Sequence, residues 1–178
     1  MKVAILGMGE GWERGDAKDY DEIWAVSPLV LRRDDITKVF QIHNLDWSAA
    51  DNAYLELKGD RENFWDSMEI INSQKIPIVL QAEHEFFPHG EVFPLDEMPA
   101  LYFTSTFAYM MAYALYKRAT QIDLYGVPLV LEGEYREQRS CLEFWIGFAA
   151  GRGVEVNIYG ATILLSSIPY EGLYGYDW

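Results

Sequence analysis

Short apolar runs alternate with longer amphipathic stretches along this chain of 178 residues. Six apolar runs end at a glycine, a proline or a polar residue, as is typical of strands buried in a parallel sheet. The predicted strands are 3–6, 22–26, 38–42, 77–81, 121–125 and 154–159. The amphipathic stretches repeat apolar residues at intervals of three and four, which predicts helices. The predicted helices are 61–73, 106–119 and 136–152.

Strands that alternate with helices predict an α/β fold with right-handed crossovers. We expect a Rossmann-like three-layer sandwich with a mostly parallel sheet of about six strands. The whole chain, 1–178, is expected to form a single Rossmann-like nucleotide-binding domain, since about 150 residues per domain is the usual size. The stretch 82–102 contains three prolines and is expected to be irregular. Loops of this length inside a compact domain are often functional.

The first strand runs into a glycine-rich turn, 7–11. Open α/β sheets bind ligands at the carboxyl ends of their strands, and glycines let the backbone approach a phosphate. The turn departs from the dinucleotide fingerprint, because Trp12 replaces its third glycine and Ser27 replaces the acid after the second strand. A ligand-contacting turn and a merely tight strand-to-helix turn therefore both stay open. The candidate contacts in the turn are Gly7, Gly9 and Glu10.

Polar residues also follow other predicted strands. His43 and Asn44 follow the third strand, where they can bind ribose or a base edge, and Trp47 can stack on a ring. The segment Thr104, Ser105 and Thr106 caps the second helix, and its hydroxyls and amides also favour an anion. Gly126 ends the fifth strand. For His43 and Asn44 the alternative is a hydrogen-bonded loop histidine with a helix cap. For Thr104, Ser105 and Thr106 the alternative is a helix cap alone.

Charged residues precede the last helix. A guanidinium fork matches a phosphate or a carboxylate, so Arg136 and Arg139 are candidates for holding the substrate, and either one for stabilising a leaving phosphate. Pairing with neighbouring glutamates is the equal alternative for both. Tyr135 lies beside them as a further nucleotide contact. His43 or Glu134 is the candidate general base.

Metal-capable side chains occur together at Glu83, His84 and Glu85, with His89 and Glu91 close behind. Their spacing matches no metal signature, so no metal site is predicted. A lid that contacts the substrate is the better interpretation of this segment. Nucleotide phosphates are often bound with Mg²⁺, and the sequence leaves a magnesium requirement open.

Composition narrows the classes of partner. The chain has 28 acidic and 14 basic residues and a formal net charge of -14, which argues against binding a nucleic-acid backbone. The N-terminus lacks the features of a signal peptide, and no apolar stretch approaches the roughly 20 residues of a membrane span. We therefore expect a cytoplasmic protein without a membrane partner. The aromatic tail 170–178 packs either on its own domain or on a second subunit as a homo-oligomer contact.

Two motifs resemble a known pattern. The run from Thr104 to Leu115, followed by Ile122-Asp-Leu-Tyr-Gly126, is similar to bacterial lipooligosaccharide sialyltransferases. There, Thr-Ser-Gly opens a helix and a strand ends in Gly-Ile-Asp. The opening strand with Gly-x-Gly and a turn also resembles archaeal 6-hydroxymethylpterin pyrophosphokinase-like proteins. Short acidic proteins of this pattern look like proteins encoded in phage genomes.

The resemblance implies a nucleotide-dependent transferase, of the glycosyl- or pyrophosphoryl-transfer type, that binds a nucleotide or nucleotide-sugar donor. It implies nucleotide contacts at Gly7, Gly9, Ser27, His43, Asn44, Thr104 and Ser105. The family has a histidine base after the Gly-Ile-Asp strand, whereas this chain has no histidine after His89 and has Val127-Pro128 in place of the aspartate. These departures motivate a second hypothesis, a protein that sequesters a nucleotide or a nucleotide signal without catalysis. A third hypothesis is an assembly protein that binds no nucleotide.

Overall fold

A computed structural model of the chain describes residues 1–43, 45, 61–129, 135–160 and 162–165, with the side chains of 61, 62, 135 and 136 left out. Seven strands and three α-helices lie in these ranges. The strands are β1 (Lys2–Leu6), β2 (Glu22–Val26), β3 (Lys38–Gln41), β4 (Ile78–Leu80), β5 (Glu91–Val92), β6 (Gln121–Tyr125) and β7 (Glu155–Tyr159). The helices are α1 (Arg61–Ser73), α2 (Thr106–Tyr116) and α3 (Tyr135–Gly151).

The seven strands form one sheet in the order β5-β4-β3-β2-β1-β6-β7, and every neighbouring pair is parallel. The predicted α/β class with a Rossmann-like layered arrangement is therefore confirmed. From β1 the chain adds strands outward to β5, and it then returns across the sheet to place β6 on the other side of β1. The boundary between β1 and β6 is thus the topological switch point, the usual ligand position in open parallel sheets.

The sheet differs from the prediction in one strand. Glu91 and Val92 form β5 beside Val79 and Leu80, within the stretch expected to be irregular. A strand of two residues is too short to produce a period-two pattern, so its formation depends on pairing with β4. The sheet of the described residues consequently has seven strands rather than six, and it is parallel throughout.

Successive side chains along each strand pack alternately into two hydrophobic cores, one on each face of the sheet. In β1, Val3 and Ile5 belong to the core beneath α2 and α3, whereas Ala4 and Leu6 belong to the core beneath α1. Helix α1 reaches that second core with its apolar face, which includes Met68. No helix within the described ranges combines the length and the apolar character that crossing a membrane requires.

Arg33 holds the chain that follows β1. Its guanidinium donates to the carbonyl oxygens of Trp12 at 3.2 Å and Gly15 at 2.7 Å, and it also pairs with the carboxylate of Asp35. The side chain of Arg33 is only 10% exposed. The fork of one arginine thereby ties the segment after β1 to the segment after β2.

A polar network covers the middle of β6 on the face opposite α3. The carboxylate of Asp123 is buried and accepts hydrogen bonds from Tyr20 at 2.7 Å, Asn157 at 2.9 Å and Gln121 at 3.1 Å. The hydroxyl of Tyr20 also lies 2.6 Å from that of Tyr125. Burial and these two hydroxyl contacts raise the pKa of Tyr20 far above its usual value of 10.0. Neutral donors thus satisfy the buried carboxylate of Asp123, and no described lysine or arginine takes part in this network.

The short strand β5 is held by α2. Glu91 accepts hydrogen bonds from the hydroxyl of Tyr113 at Oε2 and from the ammonium of Lys117 at Oε1, and the ammonium of Lys38 lies 3.9 Å from Oε2. Burial raises the pKa of Glu91, and the contacts with Tyr113 and Lys117 together lower it by more. The pKa of Glu91 therefore lies below its usual value. Glu91, a member of the segment predicted as a substrate lid, therefore has a structural role here.

Candidate functional site

The carboxyl ends of the strands meet at one edge, the carboxyl edge, where most of the described candidates lie. Gly7 follows β1, Ser27 follows β2, His43 follows β3, and Gly126 follows β6. The N-terminus of α2 reaches the same edge, because the ring of Phe107 packs beside Gly7. Parallel pairing brings these positions together although they are up to 119 residues apart in the sequence.

Backbone contacts fill the switch point between β1 and β6. The amide of Gly7 donates to the carbonyl oxygen of Tyr125 at 2.8 Å, and the amide of Gly9 donates to that of Gly126 at 2.8 Å. A Cβ on Gly7 would lie 2.4 Å from the oxygen of Gly126, which itself has a φ of +64°. These two glycines serve a close approach of two loops, and their amides are engaged within the protein. This geometry favours the tight-turn alternative.

The rest of the turn continues this junction towards β7. The carbonyl oxygen of Glu10 lies 2.9 Å from the position of a Cβ on Gly160, which follows β7 and has a φ of +98°. The side chain of Glu10 is exposed. The loops after β1, β6 and β7 thus pack together through glycines, and in the described part of the chain a cleft lies at the carboxyl ends of β3 and β4.

Ser27 and Gln41 form a buried pair under that cleft. Each is 4% exposed, and the hydroxyl of Ser27 donates to the amide oxygen of Gln41 at 3.0 Å. The contact fixes which end of the amide accepts, so the nitrogen is the group that Gln41 has left for a neighbour. Ser27 therefore acts on the site through Gln41.

A cavity of about 220 Å³ opens at the carboxyl ends of β3 and β4. Amide, imidazole and carboxylate groups share its wall with aliphatic side chains. Its lining residues are Gln41, His43, Leu45, Leu80, Gln81, Ala82, Glu83 and His84. Of the described residues that the sequence proposed as catalytic or nucleotide-binding, only His43 is among them.

Sequence reasoning missed Gln41 and Gln81, the two amides of this cavity. Both stand in predicted strands, and Gln81 is the first residue after β4. A polar residue that ends an otherwise apolar strand was the signal available, because strand ends of a parallel sheet share one edge. Which strand ends are neighbours is fixed only by the strand order, and β3 beside β4 brings these two amides to one cavity.

The first turns of α2 lie beside the cavity. Ser105 caps the helix, and its hydroxyl accepts from the amide of Ala108 at 3.2 Å. Burial raises the pKa of Tyr109, and contact with the amide of Gln81 offsets part of that increase. Gln81 therefore links the end of β4 to α2. Thr106 follows the cap and is half-buried.

Two of the predicted site residues make their contacts at α3 rather than at the cavity. The hydroxyl of Thr104 donates to the backbone oxygen of Glu137 at 3.1 Å. Arg139 pairs with Glu143, one helical turn further on, at 2.7 Å. The ion-pair alternative for Arg139 named Glu132, Glu134 or Glu137, whereas the described partner is Glu143. Helix α3 packs beside β7, and β7 is about 19 Å from β3 at about 4.8 Å per strand.

The segment with several histidines and glutamates is divided between different surroundings. Glu83 and His84 line the cavity, while Glu91 belongs to β5. The Nε2 atom of His89 is buried without a hydrogen-bond partner among the described atoms. Across the ranges that the structure describes, no group of three or more His, Cys, Asp or Glu is arranged to hold a metal ion.

Several predicted residues lie outside the described part of the chain. Asn44, Trp47 and Glu134 are in this class, as is the aromatic tail 170–178. Tyr135 and Arg136 begin α3, where only their backbone is described. The roles assigned to these residues stay predictions.

No protein-family model, curated protein or solved structure matches the chain. The resemblance to sialyltransferases and pyrophosphokinase-like proteins stays a hypothesis, and so does a relation to phage proteins. The arrangement of side chains at the carboxyl edge is consequently the basis on which a function can be argued.

Proposed function

We propose that the protein binds a nucleotide-type ligand at the carboxyl edge of its sheet and holds it without chemical change. The observation behind this proposal is the cavity at the ends of β3 and β4, where Gln41 and Gln81 present amides and His43 an imidazole. Amide groups both donate and accept, which suits the edges of bases and ribose hydroxyls. The cavity lies at the carboxyl ends of its strands, where parallel α/β sheets bind ligands, although it is at β3 and β4 rather than at the switch point between β1 and β6.

Retention without turnover is favoured by the surroundings of Arg139. Arg139 was, together with Arg136, a candidate for stabilising a leaving phosphate, and its guanidinium is paired with Glu143 on α3. Its helix packs beside β7, at the other end of the sheet from the cavity. The transfer of a phosphoryl or glycosyl group requires stabilisation of the departing charge close to the reacting atoms.

A nucleotide-dependent transferase is the second candidate, and one observation favours it. His43 is exposed and lines the cavity, so its imidazole is within reach of a ligand there and of solvent. A histidine in such a position can act as a general base near neutral pH. Glycosyl and pyrophosphoryl transfer are the reaction types implied by the resemblance to sialyltransferases and pterin pyrophosphokinase-like proteins.

Binding is tested by thermal shift of the whole chain with CMP, CMP-sialic acid, ATP, GTP, NAD and ADP-ribose, each with and without Mg²⁺. A ligand that binds only the folded state raises the Tm. We expect a selective shift that Gln81→Ala reduces and Gln74→Ala, an exposed control after α1, leaves unchanged. A flat panel would contradict the proposal and favour an assembly role.

Turnover separates the two candidates. The nucleotide that gives the largest shift is incubated with the protein for hours and then analysed by liquid chromatography. We expect it to be recovered intact. Hydrolysis or transfer that His43→Ala abolishes, while binding persists, would instead establish the transferase. The exposed position of His43 makes this substitution compatible with folding.

A further inference from the structure

The cavity at β3 and β4 is small for a whole nucleotide. Its volume is about 220 Å³, whereas pockets that enclose a drug-sized ligand measure roughly 300–1,000 Å³. A single ring system with its attached groups fits such a space. If the proposed nucleotide-type ligand binds here, only one part of it can be enclosed, and the chemistry of the wall decides which part.

The charge of the wall disfavours a phosphate. Glu83 contributes a carboxylate, and no lysine or arginine occurs among the described residues that line the cavity. The chain also has a formal net charge of -14. Sites that enclose phosphates normally use guanidinium or ammonium groups, or a helix N-terminus aimed at the anion. An anionic group placed against Glu83 would be repelled without compensation from a lining cation.

The distribution of polar and apolar groups matches a flat heterocycle. Leu45 and Leu80 are buried and offer aliphatic surface, which suits the faces of a ring. Gln41 and Gln81 offer amides, which suit its edges. The oxygen of Gln41 accepts from Ser27, and its amide nitrogen can donate to an acceptor on the ligand. Ring nitrogens and exocyclic carbonyl oxygens supply such acceptors.

We infer that this cavity takes the uncharged heterocycle of the ligand, a nucleobase or a ring of similar size and polarity, and leaves any phosphate outside. The inference rests on the proposed nucleotide-type ligand and specifies the part that is recognised. Recognition runs through the amide nitrogen of Gln41 and the amide of Gln81, with Ser27 as the residue that orients Gln41.

The inference is tested by isothermal titration calorimetry with the whole chain. The ligands are adenosine, guanosine, cytidine and uridine, their 5′-monophosphates, ribose 5-phosphate and inorganic phosphate. We expect one nucleoside to bind at least as tightly as its monophosphate, and ribose 5-phosphate and phosphate to give no heat of binding. Binding of ribose 5-phosphate without binding of any nucleoside would overturn the inference and leave the proposed function standing. Absence of binding by all ligands would overturn both.

Three variants locate the interaction. Gln81→Ala should weaken nucleoside binding about tenfold, the usual effect of one hydrogen bond. Glu83→Gln should strengthen binding of the monophosphate and leave that of the nucleoside unchanged. Gln74→Ala should alter neither affinity. Equal affinity of wild type and Gln81→Ala for the nucleoside would overturn the assignment to this cavity, since the exposed Gln81 can be truncated without loss of the fold.

Discussion

The amide of Gly9 donates to the carbonyl oxygen of Gly126 across 2.8 Å and joins the loops that follow β1 and β6. A Cβ on Gly9 would lie 2.8 Å from that oxygen and 2.5 Å from the ring of Pro128. The contact closes the switch point of the sheet with backbone atoms. A glycine-rich turn in this position therefore has a packing role, whatever ligand binds beside it.

The Gly9 contact predicts a stability effect. Gly9→Ala should destabilise the protein by about 1–3 kcal/mol, because backbone and a proline ring must move to accept the methyl group. Gly147→Ala is the matched control, since no described atom lies within 4 Å of its Cβ position in α3. That change should stabilise by up to about 1 kcal/mol through helix propensity. Urea unfolding measures both. Equal stability of the two variants would contradict the close contact.

The contacts of Arg33 lead us to expect that substitutions at Arg33 and at its neighbour Arg32 differ in their effect on the free energy of unfolding. Arg33→Lys should cost about 1–3 kcal/mol, since an ammonium cannot reach Trp12, Gly15 and Asp35 together. Arg32 is exposed, so Arg32→Lys should change stability by less than about 0.5 kcal/mol. Chemical denaturation of both variants tests this, and a cost at Arg32 equal to that at Arg33 would refute it.

We expect the contribution of Tyr20 to the free energy of unfolding to decrease at alkaline pH. Tyr20→Phe removes a donor to the buried carboxylate of Asp123 and should cost about 1–3 kcal/mol at pH 7. The folded-state pKa of Tyr20 is raised, so its contribution is complete below pH 10 and declines as the pH rises further. The stabilities of wild type and variant should therefore converge above pH 10.

The control for Tyr20 is Tyr116→Phe, in a side chain that is 39% exposed. It should have little effect at pH 7 because its hydroxyl can be solvated in both states. Thermal unfolding at pH 7 to 11 provides the comparison. A constant difference between wild type and Tyr20→Phe across this range would argue against a raised pKa at Tyr20.

Glu91 predicts the opposite pH dependence. Its folded-state pKa is lowered, so its contribution is present above the usual value of 4.5 and is lost as the pH falls through the folded value. Glu91→Gln should therefore be less stable than wild type at pH 7, and the two should converge below pH 4.5. Glu97→Gln, an exposed control, should follow the wild type throughout. Unfolding curves between pH 3 and 7 decide this, and a gap that persists at pH 3 would contradict it.

The catalytic candidates illustrate how far local sequence information reaches. The bounds 121–125 of β6 and 61–73 of α1 agree with the prediction, because burial patterns repeat over a few neighbouring residues. For Arg139 the sequence left open a substrate contact or an ion pair with Glu132, Glu134 or Glu137, and in the structure it pairs with Glu143. Each of these glutamates satisfies the same local chemistry. Only the packed helix, with the amide of Leu165 also bonded to Glu143, selects one of them.

The sequence by itself determined the α/β class, and the order and approximate ends of all the strands except β5, because these depend on periodicity and on turn residues. The tertiary structure decided which strand ends are neighbours. Because of the strand order, the amides of Gly7 and Gly9 donate to backbone oxygens at the end of β6, and Gln41 and Gln81 line the same cavity. Such contacts join residues far apart in the chain, and their free energy depends on the whole packed sheet rather than on any local pattern.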